Sequence, residues 1–299
     1  MSAQDVGLIL AVIVVWGVNF VALRVGLNGV PPMLLVCFRF VLSALPALFF
    51  VKRPTVRVSH VIVYGLVMGV AQFSLLYGSL KMGMPTGLSS IVMQTQSFFT
   101  LVFAVPLLGE RVKPNQIAGM LIAASGLGLI VLSFNATVGP VPLAMCIGAA
   151  SAWGLANVIA RRAGSVEPLA FLVWASVVPP VPMLALSLAL EGPGQIALAL
   201  AHLGLISVAA MLFTAYLSTL LGYTLWNKMI TKYGASQIAP FSLLVPIVGL
   251  LSTALALGEQ ITPVKLVAGG LVMAGLGVFV FGARIWAYLA RFAPVPEPA

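Results

Sequence analysis

Gly109-Glu110-Arg111-Val112-Lys113-Pro114 is answered, 149 positions later, by Gly258-Glu259-Gln260-Ile261-Thr262-Pro263. At the same offset Gly126 and Gly128 fall on Gly275 and Gly277. Earlier in the chain Trp16-Gly17 recurs as Trp153-Gly154, Arg24 as Arg161 and Pro31 as Pro168, all at an offset of 137. Order and spacing are kept, so the chain reads as two copies of one unit. The offsets differ by 12, which places about 12 extra residues in the second copy between its matched blocks.

The surroundings of these blocks say what each copy contains. Of 299 residues, 61% are hydrophobic and only 7% charged, against roughly 25% charged in a soluble domain. A mean hydropathy of +1.14 is likewise the opposite of what keeps a chain disordered. A membrane-spanning helix takes about 20 apolar residues. Apolar runs bounded by charge, Pro or Gly lie at about 6–26, 32–51, 60–80, 85–107, 114–133, 141–161, 168–190, 201–227, 235–257 and 263–283. That is five spans per copy. Five is odd, so the second copy enters the membrane from the opposite side, related to the first by a pseudo-two-fold axis in the membrane plane. The expected fold is an all-α membrane protein of ten transmembrane helices, as two inverted five-helix repeats around a central cavity. The expected units are 1–137 and 138–286, followed by a flexible cytoplasmic tail at 287–299. Two similar halves that can each open suit alternating access.

The net charge of +9 sits in short connections, where it reads as a topology signal and gives no reason to expect nucleic acid. Lys52, Arg53, Arg57, Arg111, Lys113, Arg161, Arg162, Lys228, Lys232, Arg284 and Arg291 fall on the side of both termini. Arg24, Lys81 and Lys265 fall on the other, so the positive-inside rule puts both termini in the cytoplasm. The N-terminus has no basic region or small-residue cleavage site before its first apolar run, so no cleavable signal peptide is expected. Cys37 and Cys146 lie inside apolar runs and read as packing residues.

Polar residues inside the spans point to helix partners or to a water-filled path. Thr86, Ser90, Gln94 and Ser97 share one helical face of the fourth span, and Tyr216, Thr219, Tyr223 and Trp226 one face of the eighth. Trp16, Asn19, Phe20 and Leu23 do so in the first, Trp153, Asn157 and Arg161 in the sixth, Gln72 and Ser79 in the third, Gln237 and Phe241 in the ninth. From these stripes the candidate substrate-binding residues are Trp16, Asn19, Gln72, Tyr77, Ser90, Gln94, Trp153, Asn157, Tyr223, Trp226 and Phe241. The alternative for each is interhelical packing and hydrogen bonding. Arg39, inside the second span, is the deepest cation: either a partner for a substrate carboxylate or a structural group paired with helix carbonyls. Pro240 and Pro246 flank Phe241 and are the hinge candidates, with a static kink as the alternative. Gly119, Ala123 and Gly126, and Gly270, Ala274 and Gly277, form small-residue stripes for close packing within one chain or between two, leaving monomer and homodimer both open. Trp286 and Tyr288 read as an interfacial belt.

Every acid, namely Asp5, Glu110, Glu167, Glu191, Glu259 and Glu297, falls in a loop, a tail or at a span end. A carboxylate-coupled proton antiporter and tight binding of a permanent cation are both disfavoured. Glu110 and Glu259, beside the repeated Pro, are expected to brace the next helix start. His60 and His202 make no metal cluster, and the chain has no Gly-x-Ser-x-Gly elbow and no phosphate loop. No enzyme activity, metal or cofactor is expected.

With Trp16-Gly17-Val18-Asn19-Phe20, Trp153-Gly154 and the two Gly-Glu blocks, the chain resembles the drug/metabolite transporter superfamily, in its ten-helix EamA-type branch. The resemblance runs from about residue 6 to 283. It implies an exporter of amino acids, other metabolites or toxic compounds, and overall likeness is greatest to the aromatic amino-acid exporters. The expected function is a secondary transporter in the cytoplasmic membrane. It would move amino acids with bulky apolar or aromatic side chains outward, with lipid and a small-molecule substrate as its partners. A multidrug exporter is the alternative.

Overall fold

The computed structural model describes residues 1–132, 139–164, 166–233 and 238–289, with side chains for all of these except 239, 240 and 283–289. Gln237, the 137/138 repeat boundary, the tail beyond Leu289 and the side chains of Trp286 and Tyr288 lie outside the described residues.

Among the described residues every regular element is a helix. The first half comprises α1 (Ala3–Leu27), α2 (Pro32–Leu48), α3 (Val58–Lys81), α4 (Thr86–Leu108) and α5 (Pro114–Leu132). The second comprises α6 (Pro140–Arg162), α7 (Pro168–Leu190), the short α8 (Gly192–Ala201), α9 (Leu205–Tyr233), α10 (Phe241–Leu257) and α11 (Pro263–Leu289). Eight of these, α1, α3 to α7, α9 and α11, are long and apolar enough to cross a membrane, and α2 and α10 are shorter apolar helices. The protein is a multi-pass membrane protein.

Helix starts and stops follow from local chemistry. Proline opens α2, α5, α6, α7 and α11, where its missing N–H costs nothing. Ser2 caps α1 by accepting from the Asp5 N–H at 3.2 Å, and the Glu167 carboxylate caps α7 through Leu169 and Ala170. The Gly-Glu blocks begin where α4 and α10 end, with Gly109 at φ +69° and Gly258 at φ +67°, left-handed positions that only glycine takes without strain. Each block is therefore a stop, a short acid-bearing connection and a proline start.

The structure departs from the expected spans in two places. Residues 191–200, left between the expected spans at 168–190 and 201–227, are not without structure, since the Gln-Ile-Ala-Leu-Ala-Leu-Ala run forms α8, as good helix formers do. The helix expected at 201–227 begins instead at Leu205 and runs to Tyr233.

Packing uses glycine where backbones meet. A Cβ on Gly17 would lie 2.5 Å from Val248, so α1 seats against α10, and one on Gly154 would lie 2.6 Å from Phe99, so α6 seats against α4. In α5, Gly119 and Gly126 meet α11 at Gly275 and Ala268, with Cβ positions 2.5 Å and 2.7 Å from their carbonyl oxygens. The small-residue stripe of α5 thus packs within the chain. In α11 the contact is made by Ala268, Val272 and Gly275, while Gly270 and Gly277 face open space and Ala274 is exposed, so the Gly270, Ala274 and Gly277 stripe makes no close packing within the chain.

Four stretches depart from α geometry. Gly65–Gln72 in α3 and Phe213–Leu221 in α9 are π-helical, and Met93–Thr95 in α4 and Ala239–Leu244 at the start of α10 are 3-10 turns. Neither π stretch contains a proline. Pro240 opens the 3-10 segment, and Pro246 sits where that segment passes into the α-helical part of α10.

Candidate functional site

All four irregular stretches border one cavity of about 480 Å³, within the range of small-molecule sites. α1 supplies Trp16, Asn19, Phe20 and Leu23, and α3 supplies Tyr64, Met68, Gln72, Phe73 and Leu76. Ser90, Gln94, Gln96 and Ser97 come from α4, Trp153 and Asn157 from α6, and Ser218, Tyr223, Trp226 and Asn227 from α9.

One wall is aromatic. The Trp16 ring stands 5.3 Å from Tyr223 and 5.1 Å from Trp226, centroid to centroid, both tilted. Its indole N–H donates to the Ser218 carbonyl at 2.9 Å. That carbonyl lies within the π stretch of α9, where widened turns free backbone acceptors for outside donors. The Trp-Gly pairs divide their work alike in both halves: Trp16 and Trp153 face the cavity while Gly17 and Gly154 admit a neighbouring helix.

The polar groups are unevenly satisfied. Asn157 donates to Gln96 at 2.6 Å and to Thr100 at 3.1 Å, tying α6 to α4. Ser90 donates to the Gly87 carbonyl at 2.6 Å. Asn19 Oδ1 and Gln72 Oε1 are buried without a hydrogen-bond partner. Arg39, only 5% exposed, is the one charged side chain on the lining among the described residues. Its Nη2 donates to Thr219 Oγ1 at 3.0 Å and its guanidinium lies 4.5 Å from the centre of the Phe73 ring. Its Nη1 has no partner.

The described acids are engaged elsewhere. Asp5 accepts from Lys232 at 2.8 Å, Glu110 pairs with Arg161, and Glu167 caps its own helix. Glu191 accepts from the N–H groups of Met33 and Leu34 at the start of α2. Glu259 accepts from those of Thr86 at 2.7 Å and Gly87 at 2.9 Å. The expectation that Glu110 and Glu259 brace the helix following each block is therefore corrected: Glu259 braces α4 from across the fold, and Glu110 holds the end of α6. Among the described residues no group of three or more His, Cys, Asp or Glu could hold a metal ion.

Of the candidate residues, Trp16, Asn19, Gln72, Ser90, Gln94, Trp153, Asn157, Tyr223, Trp226 and Arg39 line the cavity together. Tyr77 does not. It is 1% exposed, with its ring 5.9 Å from Phe73 and its hydroxyl beside the Arg39 guanidinium, so it supports the wall from behind. Phe241 also lies outside the lining, packed with Ile9, Ile13, Met229 and Ile238 between α1, α9 and α10. Gln96, Tyr64, Phe73 and Ser218 were missed. Gln96 sits two residues beyond Gln94, off its face in a regular helix, but the 3-10 turn over Met93–Thr95 rotates both toward the cavity.

Residues 5–132 and 141–281 each match the model of the EamA-like transporter family. The chain belongs to that family. This EamA-like transporter is 39% identical over 291 residues to a Salmonella typhimurium protein named "Probable amino-acid metabolite efflux pump", covering 95% of this chain and 97% of the relative. It is 37% identical to an Escherichia coli K12 protein of the same name, with the same coverage. A Streptantibioticus cattleyicolor protein named "Probable terminal-alkyne amino-acid exporter" is 26% identical, covering 88% of this chain and 89% of the relative. A solved crystal structure at 17% identity superposes with a TM-score of 0.56 over 95% of this chain and 98% of its own, a likeness of fold.

Proposed function

We propose that this EamA-like transporter exports amino acids with bulky apolar or aromatic side chains by alternating access, through ten transmembrane helices arranged as two inverted repeats. The observation that carries the reading is the single cavity walled by Trp16, Tyr223, Trp226 and Trp153 and fitted with the amides of Asn19, Gln72 and Gln94. Aromatic faces suit a bulky side chain and the amides suit its polar head. The names of the two relatives near 38% identity support amino-acid metabolites as the substrate class.

Several features support the inverted repeat. The family match falls in two stretches, one in each proposed unit, 1–137 and 138–286. The π stretches Gly65–Gln72 and Phe213–Leu221 fall on each other at nearly the offset of the Gly-Glu blocks, and the 3-10 turns in α4 and α10 correspond likewise. α2, at 17 residues, would reach about 26 Å, short of a bilayer core of about 30 Å by an amount that local thinning absorbs. With ten spans, the distribution of basic residues supports an inner-membrane protein with both termini in the cytoplasm.

The test is counterflow in liposomes holding the purified protein and unlabelled amino acid. Labelled phenylalanine, threonine or a quaternary ammonium cation is supplied outside without an ion gradient. Accumulation of phenylalanine above threonine is expected. Accumulation of the cation alone would replace this reading with multidrug export.

A further inference from the structure

Arg39 is the lining's anomaly. A cation held away from bulk water needs acceptors, and its cost falls only when a counter-charge or strong hydrogen bonds face it. Thr219 takes one N–H at 3.0 Å, Phe73 covers one face at 4.5 Å, and the Tyr77 hydroxyl lies beside the guanidinium. All three are neutral groups that position it without neutralising it. The five described acids are occupied at other places, from Asp5 with Lys232 to Glu259 on the start of α4. Nη1 stays buried and without a hydrogen-bond partner, on a residue that lines the cavity.

The same cavity holds the complementary deficit. Asn19 Oδ1 and Gln72 Oε1 are buried acceptors without donors, both on residues that line the cavity. One unmatched cationic donor and two unmatched neutral acceptors are what a zwitterion completes. A carboxylate supplies charge and two oxygens to the guanidinium, and an ammonium supplies three N–H groups to the amide oxygens. A permanent cation would meet Arg39 as a like charge, with nothing acidic on the lining to offset it.

We propose that Arg39 is the carboxylate anchor of the transport site, positioned by Thr219 and Phe73, and that Asn19 and Gln72 receive the substrate ammonium. The substrate class is thereby narrowed to solutes carrying a free α-carboxylate beside an amine, and amides, esters, decarboxylated amines and quaternary cations are excluded. This rests on reading the cavity as the transport site.

The experiment compares phenylalanine with phenylalaninamide and phenethylamine, which keep the side chain and amine but lack the carboxylate. Counterflow of labelled phenylalanine and the ligand-induced shift in Tm are both measured. In the wild-type protein phenylalanine is expected to compete and to raise Tm, with the two analogues weaker by roughly tenfold to a hundredfold. Equal potency of the analogues overturns the anchor while leaving amino-acid transport standing. No movement of, and no Tm shift by, any amino acid in folded protein overturns both. Arg39→Gln is expected to abolish the preference for the acid over the amide, and Arg39→Lys to keep part of it. An Arg39→Gln protein that still prefers the acid overturns the assignment. Because the wild-type ligand comparison needs no variant, poor folding of either substitution does not protect the proposal.

Discussion

Trp16 is held at its indole nitrogen by the Ser218 carbonyl and on its flanks by Tyr223 and Trp226, and Gly222 leaves the room that this requires. A Cβ at Gly222 would lie 2.6 Å from that nitrogen. Gly222→Ala is therefore expected to break the indole hydrogen bond and turn the ring into the cavity. Overpacking of this kind costs about 1–3 kcal/mol, read as a rise of about tenfold in KM for phenylalanine counterflow and a change in tryptophan emission. Gly128→Ala, in open space, should change neither. An unaltered KM in Gly222→Ala would remove Trp16 from the substrate wall. The polar stripe of Ser90, Gln94 and Ser97 was legible because 3.6-residue periodicity places such residues on one face before any tertiary contact is known. Arg39 with Thr219 was not, since its partner is 180 positions away and periodicity speaks only within one helix. Tyr77 and Phe241 carry the same chemical signals as the lining residues, and only their packing against Phe73 and against Ile9 and Ile13 sets them apart.

The contact between α5 and α11 makes the corresponding point for elements. Gly119, Ala123 and Gly126 were readable as a small-residue stripe, whereas α11 offers glycine on several faces and sequence alone could not choose among them. Geometry chooses Gly275, whose Cβ would stand 2.5 Å from the Gly119 carbonyl oxygen, and leaves Gly270 in open space. Gly275→Leu should separate the two helices and lower the Tm in detergent by several degrees or prevent folding. Gly270→Leu should leave Tm nearly unchanged. The reverse ranking would mean that the exposed face of α11 carries a contact with a second copy. The π stretches of α3 and α9 were illegible for a different reason. Neither contains the proline that announces a break, and a close approach such as Gly69 against Pro179, where a Cβ would come within 2.0 Å, is visible only once the helices are packed. Prolines predicted irregular backbone at the start of α10 and overlooked it in the helices that hold Gln72 and Ser218.

Across the whole molecule, the repeated Gly-Glu blocks occupy unlike positions. Glu259 reaches the N–H groups of Thr86 and Gly87 and fastens the end of α10 to the start of α4, while Glu110 is paired with Arg161 at the opposite end of the bundle. Under the proposed alternating access of two inverted halves, which would exchange environments, the brace made by Glu259 belongs to the conformation described here and loosens in the other. Glu259→Gln keeps one acceptor but loses the charge that shortens and strengthens both bonds, a change of about 1–2 kcal/mol and hence roughly a five- to thirtyfold shift in population toward the other conformation. The measurement places a cysteine at Ser97, on the cavity lining, in a background where Cys37 and Cys146 are serine, and labels it with a membrane-impermeant maleimide. Glu259→Gln should raise labelling from the membrane face that carries the start of α4, the face away from the N-terminus of α1. Glu110→Gln should not, because its partner Arg161 lies at the other end. Equal labelling in both variants, or no change in either, would mean that the Glu259 brace is a fixed cap on α4 and takes no part in opening the cavity.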